Sequence, residues 1–409
     1  MLLAGYGAFV FKHLTKIKMT TMPKSHTLVV CLCLSLCAFP TYAVQLTDNL
    51  GVGALVRSRL SYDPDEDIRK VSLEQIALTL TYKSDTWISD VRYWFQGKGY
   101  PYDYVDHMGD ISFPEYAWVG YRFNDSNQLI VGLNKMPFGP EYYTHAVVET
   151  FGYSVGLEDT NLPGLKYGYS DDGLKLQAAY YPRSSWQGKG TSKHSRVYSS
   201  APTLADDYVL DGSNNEQRNT FAFDARKHLS LDGVELDLGS SLMTAELYNL
   251  DTNQAGRRAA WGVDAMATQG PWGLRLQAAR QVMRPRNDGA SDTVTFGLFD
   301  GSYNVAARGN LYVAELSRSY DVPFFANVIN RTNWYASYNA FDKSGGSETS
   351  QRMVLGNAGW VGKNLFIASE WIFGKNDPLV DGDKGLTSLA QGGGNRWENK
   401  LYVRFDYWF

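Results

Sequence analysis

Cysteine is missing from the main body of this chain: all three, Cys31, Cys33 and Cys37, lie near the N-terminus. A main body without thiols builds no disulfide framework and no cysteine metal cluster. Long apolar runs are missing after residue 43, and the mean hydropathy is −0.32, which excludes a bundle of membrane-spanning helices. A basic excess is missing too, with 39 Lys and Arg against 43 Asp and Glu, so a nucleic-acid partner is not expected. No phosphate loop, dinucleotide fingerprint, fixed-period repeat or low-complexity tract stands out, and no cofactor is expected.

The N-terminus is the one place where acid is absent, since no Asp or Glu precedes Asp48. There Lys12, Lys16, Lys18 and Lys24 precede an apolar run at 28–39, which ends in Pro40-Thr41-Tyr42-Ala43. A basic start, a short apolar core and small residues before a cut make an export signal, and the core is too short to span a bilayer as a helix. We expect a signal peptide over 1–43, cleaved after Ala43, with Met19 or Met22 as the true start. Cys37 follows Leu36 rather than a small residue, against a lipidation site. Removal of four lysines leaves 35 basic and 43 acidic residues in a 366-residue chain, a net charge of −8.

What the rest of the chain does have is alternation. In the last segment, 401–409, Leu401, Val403, Phe405, Tyr407 and Phe409 share one face, while Lys400, Tyr402, Arg404 and Asp406 share the other. A strand with a continuous apolar row opposite charged groups needs lipid on one side and water on the other. The same pattern recurs at 75–82, 90–96, 174–180, 221–226, 234–238 and 272–278. Links rich in turn formers separate the segments, at Lys83-Ser84-Asp85, Asn124-Asp125-Ser126, Asp171-Asp172-Gly173, Leu231-Asp232-Gly233, Gln269-Gly270-Pro271, Asp321-Val322-Pro323 and Gly362-Lys363-Asn364. Longer polar connections fall near 98–113, 137–163, 183–216, 285–303 and 375–395. Counting back from Phe409 gives about sixteen strands, an even number, provided that the strand-like stretch 293–299 sits in an outer loop.

The fold expected for residues 44–409 is therefore all-β, a transmembrane antiparallel up-and-down β-barrel, with its first strand near 51–60 and no plug domain before it. Aromatics at strand ends, among them Trp87, Tyr121, Phe123, Trp272, Phe324, Phe325, Trp360 and Phe366, fit the two membrane interfaces. Residues Phe405, Tyr407 and Phe409 form an aromatic end of the kind that barrel-assembly machinery reads.

A barrel of this size leaves room for an aqueous channel. The segment 137–163 is the candidate for a constriction loop. It carries apolar and aromatic residues that an outer loop facing only water would not need, together with Glu141, His145, Glu149, Glu158 and Asp159. Alternation points Arg57, Arg59, Arg92, Arg122, Lys175, Arg226, Arg275, Arg331 and Arg404 into the lumen. It points Asp90, Asp224, Glu235, Asp237, Asp264, Glu315, Glu370 and Asp406 there as well. Opposed rows of charge would set up a transverse field favouring small polar solutes. The acidity of the loop leans the expectation toward cations.

Other chemistry is sparse. Asp377, Asp381 and Asp383, or Asp63, Asp65, Glu66 and Asp67, are better read as solvated turns than as a metal site, since their spacing matches no calcium loop. His194 beside Ser195 is not a catalytic arrangement, because a dyad needs side chains that face each other in space. No enzyme is expected. The remaining alternative to a diffusion channel is a non-conducting adhesion or structural barrel.

The stretch Tyr121-Arg122-Phe123, 128–133 and Asn134-Lys135-Met136-Pro137-Phe138-Gly139 resembles the porins of the phosphate-selective O and P family, where a like strand end leads into the third, constricting loop. The resemblance implies sixteen-stranded trimeric barrels of the Gram-negative outer membrane, with lipid, lipopolysaccharide, the assembly machinery and small solutes as partners. The sequence departs from the family in the loop: no Lys or Arg occurs between Pro137 and Pro163, while four acids do. Fold and channel role carry over on this reading, but phosphate specificity does not.

Overall fold

The computed structural model describes residues 44–289, 292–321, 329–381 and 384–409. The expected signal peptide, Cys37, Phe324, Phe325 and Asp383 lie outside them. Sixteen long strands run in order: β1 Leu50–Asp63, β2 Ile68–Lys83, β3 Trp87–Gln96, β4 Ile111–Arg122, β5 Asn127–Lys135, β6 Asn161–Asp171, β7 Leu174–Arg183, β8 Asn215–Leu231, β9 Val234–Asn249, β10 Gln254–Gln269, β11 Trp272–Arg284, β12 Arg308–Tyr320, β13 Ile329–Lys343, β14 Ser350–Val361, β15 Leu365–Lys375 and β16 Trp397–Trp408. Each pairs antiparallel with the next, and β16 returns to β1, with Tyr62 opposite Leu401 and Leu55 opposite Trp408. Closure leaves the barrel wall without an edge strand among the described residues, the condition for spanning hydrocarbon with strands.

The two-faced pattern survives in three dimensions. On β16 Leu401 and Phe405 are exposed outward while Lys400, Tyr402 and Asp406 are buried inside. On β11 Trp272, Leu274 and Leu276 stand outward. Such a belt of exposed apolar side chains around a closed sheet requires lipid. At one rim the hairpins are tight. Asp172-Gly173 and Asp232-Gly233 both hold positive φ at each residue (45° and 68°, 46° and 83°), the twist that two-residue hairpins need.

The opposite rim carries the long connections 97–110, 136–160, 184–214, 285–307 and 376–396. Three connections on that rim, 64–67, 250–253 and 344–349, are short, so loop length alone does not mark the sides. The stretch Thr293–Leu298 keeps the parity as required. It pairs with Gly301–Ala306 and with Ala201–Pro202 in a separate three-stranded sheet outside the barrel wall.

Candidate functional site

The connection after β5, residues 136–160, folds into the barrel; Pro163, the expected end of this segment, already belongs to β6. Its apolar side chains Met136, Phe138, Phe151, Val155 and Leu157 pack on the inner face of β7–β13. There the wall supplies Ala179, Ala222, Ala245, Ala260 and Ala279 beside Tyr181, Met243 and Phe341. Small inward residues make the hollow that the loop fills. Further along, Val148 with Ala146 and Val147 packs on Tyr335, Val354, Ala358, Ala368 and Ile372.

A loop buried in the lumen must place its backbone N–H groups on acceptors, and the wall provides them. Ser241 Oγ accepts from Gly139 N at 2.8 Å and donates to Asp224. Glu315 accepts from His145 N at 2.7 Å, and its other oxygen meets the imidazole Nδ1 at 2.6 Å. Glu370 accepts from Val147 N at 2.6 Å, from Val148 N at 3.1 Å and from the Tyr335 hydroxyl at 2.6 Å. Asn339 accepts from Phe151 N at 3.2 Å, and Arg352 reaches the Glu149 carbonyl. Arg258, fully buried, donates to the carbonyls of Val155 and Gly156 at 2.5 and 3.0 Å, and to Gln217 and Gln281. These carbonyls lie just beyond the helical turn Phe151–Ser154, where cationic donors are favoured.

Between the loop and the wall formed chiefly by β1–β5 and β14–β16 lies a cavity of about 1110 Å³. The wall presents Arg57, Arg59, Arg92, Arg404, Lys135, Lys166 and Lys400, and the loop presents Glu141, Glu149, Glu158 and Asp159. Eight basic side chains, Arg275 being the eighth, meet seven acidic ones, so the lining is close to neutral in sum yet polarised from side to side. Arg57 pairs with Asp406 at 2.7 Å and Arg404 with the same carboxylate at 3.0 Å.

Two wall acids owe their place to β-bulges. The register between β1 and β2 passes from Arg57 opposite Gln75 to Ser58 opposite Leu73, and the extra residue, Glu74, turns inward to Arg59 at 3.0 Å. Between β3 and β4 it passes from Arg92 opposite Tyr116 to Tyr93 opposite Pro114, and the extra Glu115 takes the Trp94 indole N–H at 2.6 Å and Arg92 at 3.5 Å. Parity counting places Glu74 toward lipid, which is why sequence reasoning missed it; a bulge inverts the count locally.

Every residue expected in the loop, Glu141, His145, Glu149, Glu158 and Asp159, lines the cavity. Glu158 hydrogen-bonds Thr150, and burial pushes its carboxyl up to about 7 against the pull of Thr150 and Lys135. Asp159 meets Lys135 at 3.5 Å and the Tyr198 hydroxyl at 2.9 Å.

Of the expected lumen residues, Arg57, Arg59, Arg92, Arg275 and Arg404 line the cavity, whereas Arg122, Lys175, Arg226, Arg331, Glu235 and Asp237 do not. Arg226 is engaged with Asp224 and Asp264, Arg331 with Asp321, and Glu235 and Asp237 with His228, while Arg122 hydrogen-bonds the Ser84 carbonyl. Glu315 and Glu370 point inward but are consumed by the loop. Phe366, expected at the membrane interface, lines the cavity instead, with the Arg404 guanidinium 5.8 Å from its ring, because its strand position faces the lumen. Trp94, Trp118 and Tyr402 also line the cavity.

Among the described residues no group of three or more His, Cys, Asp or Glu is arranged to hold a metal. Asp377 is bound by Arg352, Asp381 by Ser388, and Asp63 by Lys400. The Ser195 hydroxyl is taken by Ser302 at 2.6 Å.

A closed sixteen-stranded barrel with a lipid-facing belt and a charged lumen half-filled by one of its own loops is an outer-membrane channel for solute diffusion. The chain belongs to the phosphate-selective porin O and P family, whose model matches residues 76–349. Family and fold point to a channel rather than an enzyme, in the outer membrane of a Gram-negative bacterium.

No curated protein matches the sequence. Among solved structures the chain is similar to the outer-membrane channel DcaP of Acinetobacter baumannii, with 11% identity, TM-score 0.54, and 90% of this chain and 100% of that one covered. It is similar also to a loop L8 deletion mutant of the Vibrio cholerae outer-membrane protein OmpT and to an anion-selective porin from Comamonas acidovorans. Each of these has 11% identity and TM-score 0.51 over 88% of this chain and 99% of the other.

Proposed function

We propose that the protein is a passive, water-filled pore for small polar solutes or ions, narrowed by the loop at 137–163, with residues 1–43 as its export signal. One observation carries this reading: the cavity runs between a basic wall and an acidic loop that the wall itself holds in place. The field between Arg57, Arg59, Arg92 and Arg404 on one side and Glu141, Glu149, Glu158 and Asp159 on the other orients dipolar solutes and disfavours apolar ones. With near-equal numbers of each sign, ion preference rests on how many wall arginines stay paired.

Planar-bilayer recording of the refolded protein tests the reading. Stepwise conductance, a modest reversal potential in a salt gradient and block by a polar solute support it; complete absence of conductance would leave the non-conducting barrel.

The family resemblance supports a homotrimer. Four arginines support a contact with the lipopolysaccharide leaflet: Arg257, Arg280, Arg284 and Arg308 stand exposed on the lipid face near the long-loop rim, and Arg257 lies directly opposite Arg284. Like charges in that position are unfavourable unless anions bridge them. On β16 the outward Phe405 and Tyr407, with Phe409 packed on Tyr407 at 4.9 Å, support recognition by the assembly machinery.

A further inference from the structure

Apolar side chains dominate the outer face of the barrel, as hydrocarbon demands, and at the short-turn rim a charged side chain interrupts them. Across β11 to β14 the register sets Trp272 opposite Arg318, Arg318 opposite Trp334, and Trp334 opposite Asn357. Alternation along β12 turns Arg318 outward with Tyr312 and Leu316, while Leu311, Val313 and Glu315 turn inward. A guanidinium therefore stands on the lipid face between two tryptophans.

Its Cζ lies 4.8 Å from the ring centre of Trp272 and 4.7 Å from that of Tyr320. Aromatic faces stabilise the cation and shield it, but they neutralise nothing. Among the described residues no acid pairs with Arg318, and its buried Nε has no hydrogen-bond partner. Asp321, three residues along the chain, meets Arg331 at 3.5 Å, and Glu315, three residues back, turns inward to His145. Segment 322–328, which follows it, contains no acidic residue.

Directly above this row lies a hollow. In the next row toward the membrane centre the outward residues are Leu316, Ala336, Leu355 and Trp371, again in register. Ala336 is the small member, and its larger neighbours stand around it, leaving a groove of about 410 Å³ that ends at Arg318. Trp272 opens β11 just after the two-residue link 270–271, so the row sits at the short-turn rim. In barrels of this class that rim meets the periplasmic leaflet, at headgroup depth.

We propose that this is a binding site for one glycerophospholipid of the inner leaflet, its phosphate on Arg318 and one acyl chain in the groove over Ala336. The two halves of the site match the two halves of that molecule. An unpaired guanidinium, partly dehydrated, calls for a phosphate that can accept from Nε and a terminal nitrogen together. An apolar groove leading from it toward the bilayer centre calls for a chain joined to that phosphate. A free anion would leave the groove empty, and a neutral lipid would leave Arg318 unpaired.

The test is native mass spectrometry of the full protein released from detergent, first as purified and then after delipidation and addition of phosphatidylglycerol or of diacylglycerol with the same chains. Wild type is expected to retain one phosphatidylglycerol per chain and to discriminate against diacylglycerol. Arg318→Gln should lower phospholipid retention about tenfold, and Arg318→Lys should restore part of it. Ala336→Trp, which fills the groove and leaves the arginine, should also displace the lipid.

Equal retention by wild type and Arg318→Gln would overturn the site. So would equal retention of diacylglycerol, which would mean an apolar sleeve only. Loss of the oligomer in Arg318→Gln, with lipid content unchanged, would overturn it as well, because a second copy of the chain would then be the occupant. Conductance of the same preparations is a separate readout, so failure of this site and failure of the pore reading are distinguishable.

Discussion

Glu370 offers the sharpest test of how the lumen is built. Its carboxylate is fully buried and accepts three hydrogen bonds, two from the loop backbone at Val147 and Val148 and one from Tyr335. Hydrogen bonds to a charged acceptor contribute about 1.5–3 kcal/mol each, and a buried donor left without a partner costs about 1–3 kcal/mol. Glu370→Gln keeps the shape but presents an amide N–H where one loop N–H needs an acceptor. A loss of about 3 kcal/mol from the latched loop would raise the population of displaced conformations by roughly a hundredfold.

The expected result is a larger mean conductance with more open-channel noise, and a lower midpoint of thermal unfolding. Tyr335→Phe removes only the wall-to-wall bond and leaves both loop bonds intact, so it should lower stability with little change in noise. If Glu370→Gln conducts with wild-type amplitude and noise, the carboxylate does not hold the loop and the reasoning is wrong.

Four further outcomes are expected. Arg258→Met removes the donors to the Val155 and Gly156 carbonyls and strands Gln217 and Gln281; unfolding followed by heat-shifted gel mobility should show a loss of about 2–4 kcal/mol, and an unchanged midpoint would refute the clamp. Glu158 binds its proton more tightly in the folded protein than in the unfolded chain, so its contribution to stability is greatest at acid pH and falls as pH rises from the usual carboxylate range toward about 7. In the folded protein its ionisation, centred at about 7, adds negative charge to the lining, so cation permeability should rise as pH passes through about 7, and Glu158→Gln should flatten the profile. Glu115→Gln frees Arg92 from its partner and should move the reversal potential toward anions, without change if the pair plays no part in permeation. Deletion of Phe409 should reduce insertion into the outer membrane more than the conductance of the protein that does insert; normal insertion would count against an assembly signal.

Much of the fold is legible in the order of residues, because each barrel strand repeats one local rule. Alternation on 272–278 and 401–409 marks which face meets lipid, and Asp-Gly at 172–173 and 232–233 marks where the chain reverses. Those features act over two to ten residues, and a sequence displays them directly. The segment 136–160 packs its apolar residues on the inner wall for a related reason: aromatic and aliphatic side chains have no use in water. Its four acids and His145 line the cavity.

What the sequence left open depends on register and on contacts between distant segments. Glu74 and Glu115 enter the lumen only because bulges shift the pairing by one residue, and parity counted along one strand cannot see its partner. Glu315 and Glu370 read as pore charges by alternation, yet the loop claims both, since its buried N–H groups must find acceptors 170 and 223 residues away. Arg318 comes to stand between Trp272 and Trp334 only through the register of three strands, which no single strand displays. The chain by itself determined that there would be a barrel with two faces and an inward loop. Tertiary structure decided which charges remain free to meet a solute, because in a closed wall each inward group is either exposed to the lumen or spent on whatever folds against it.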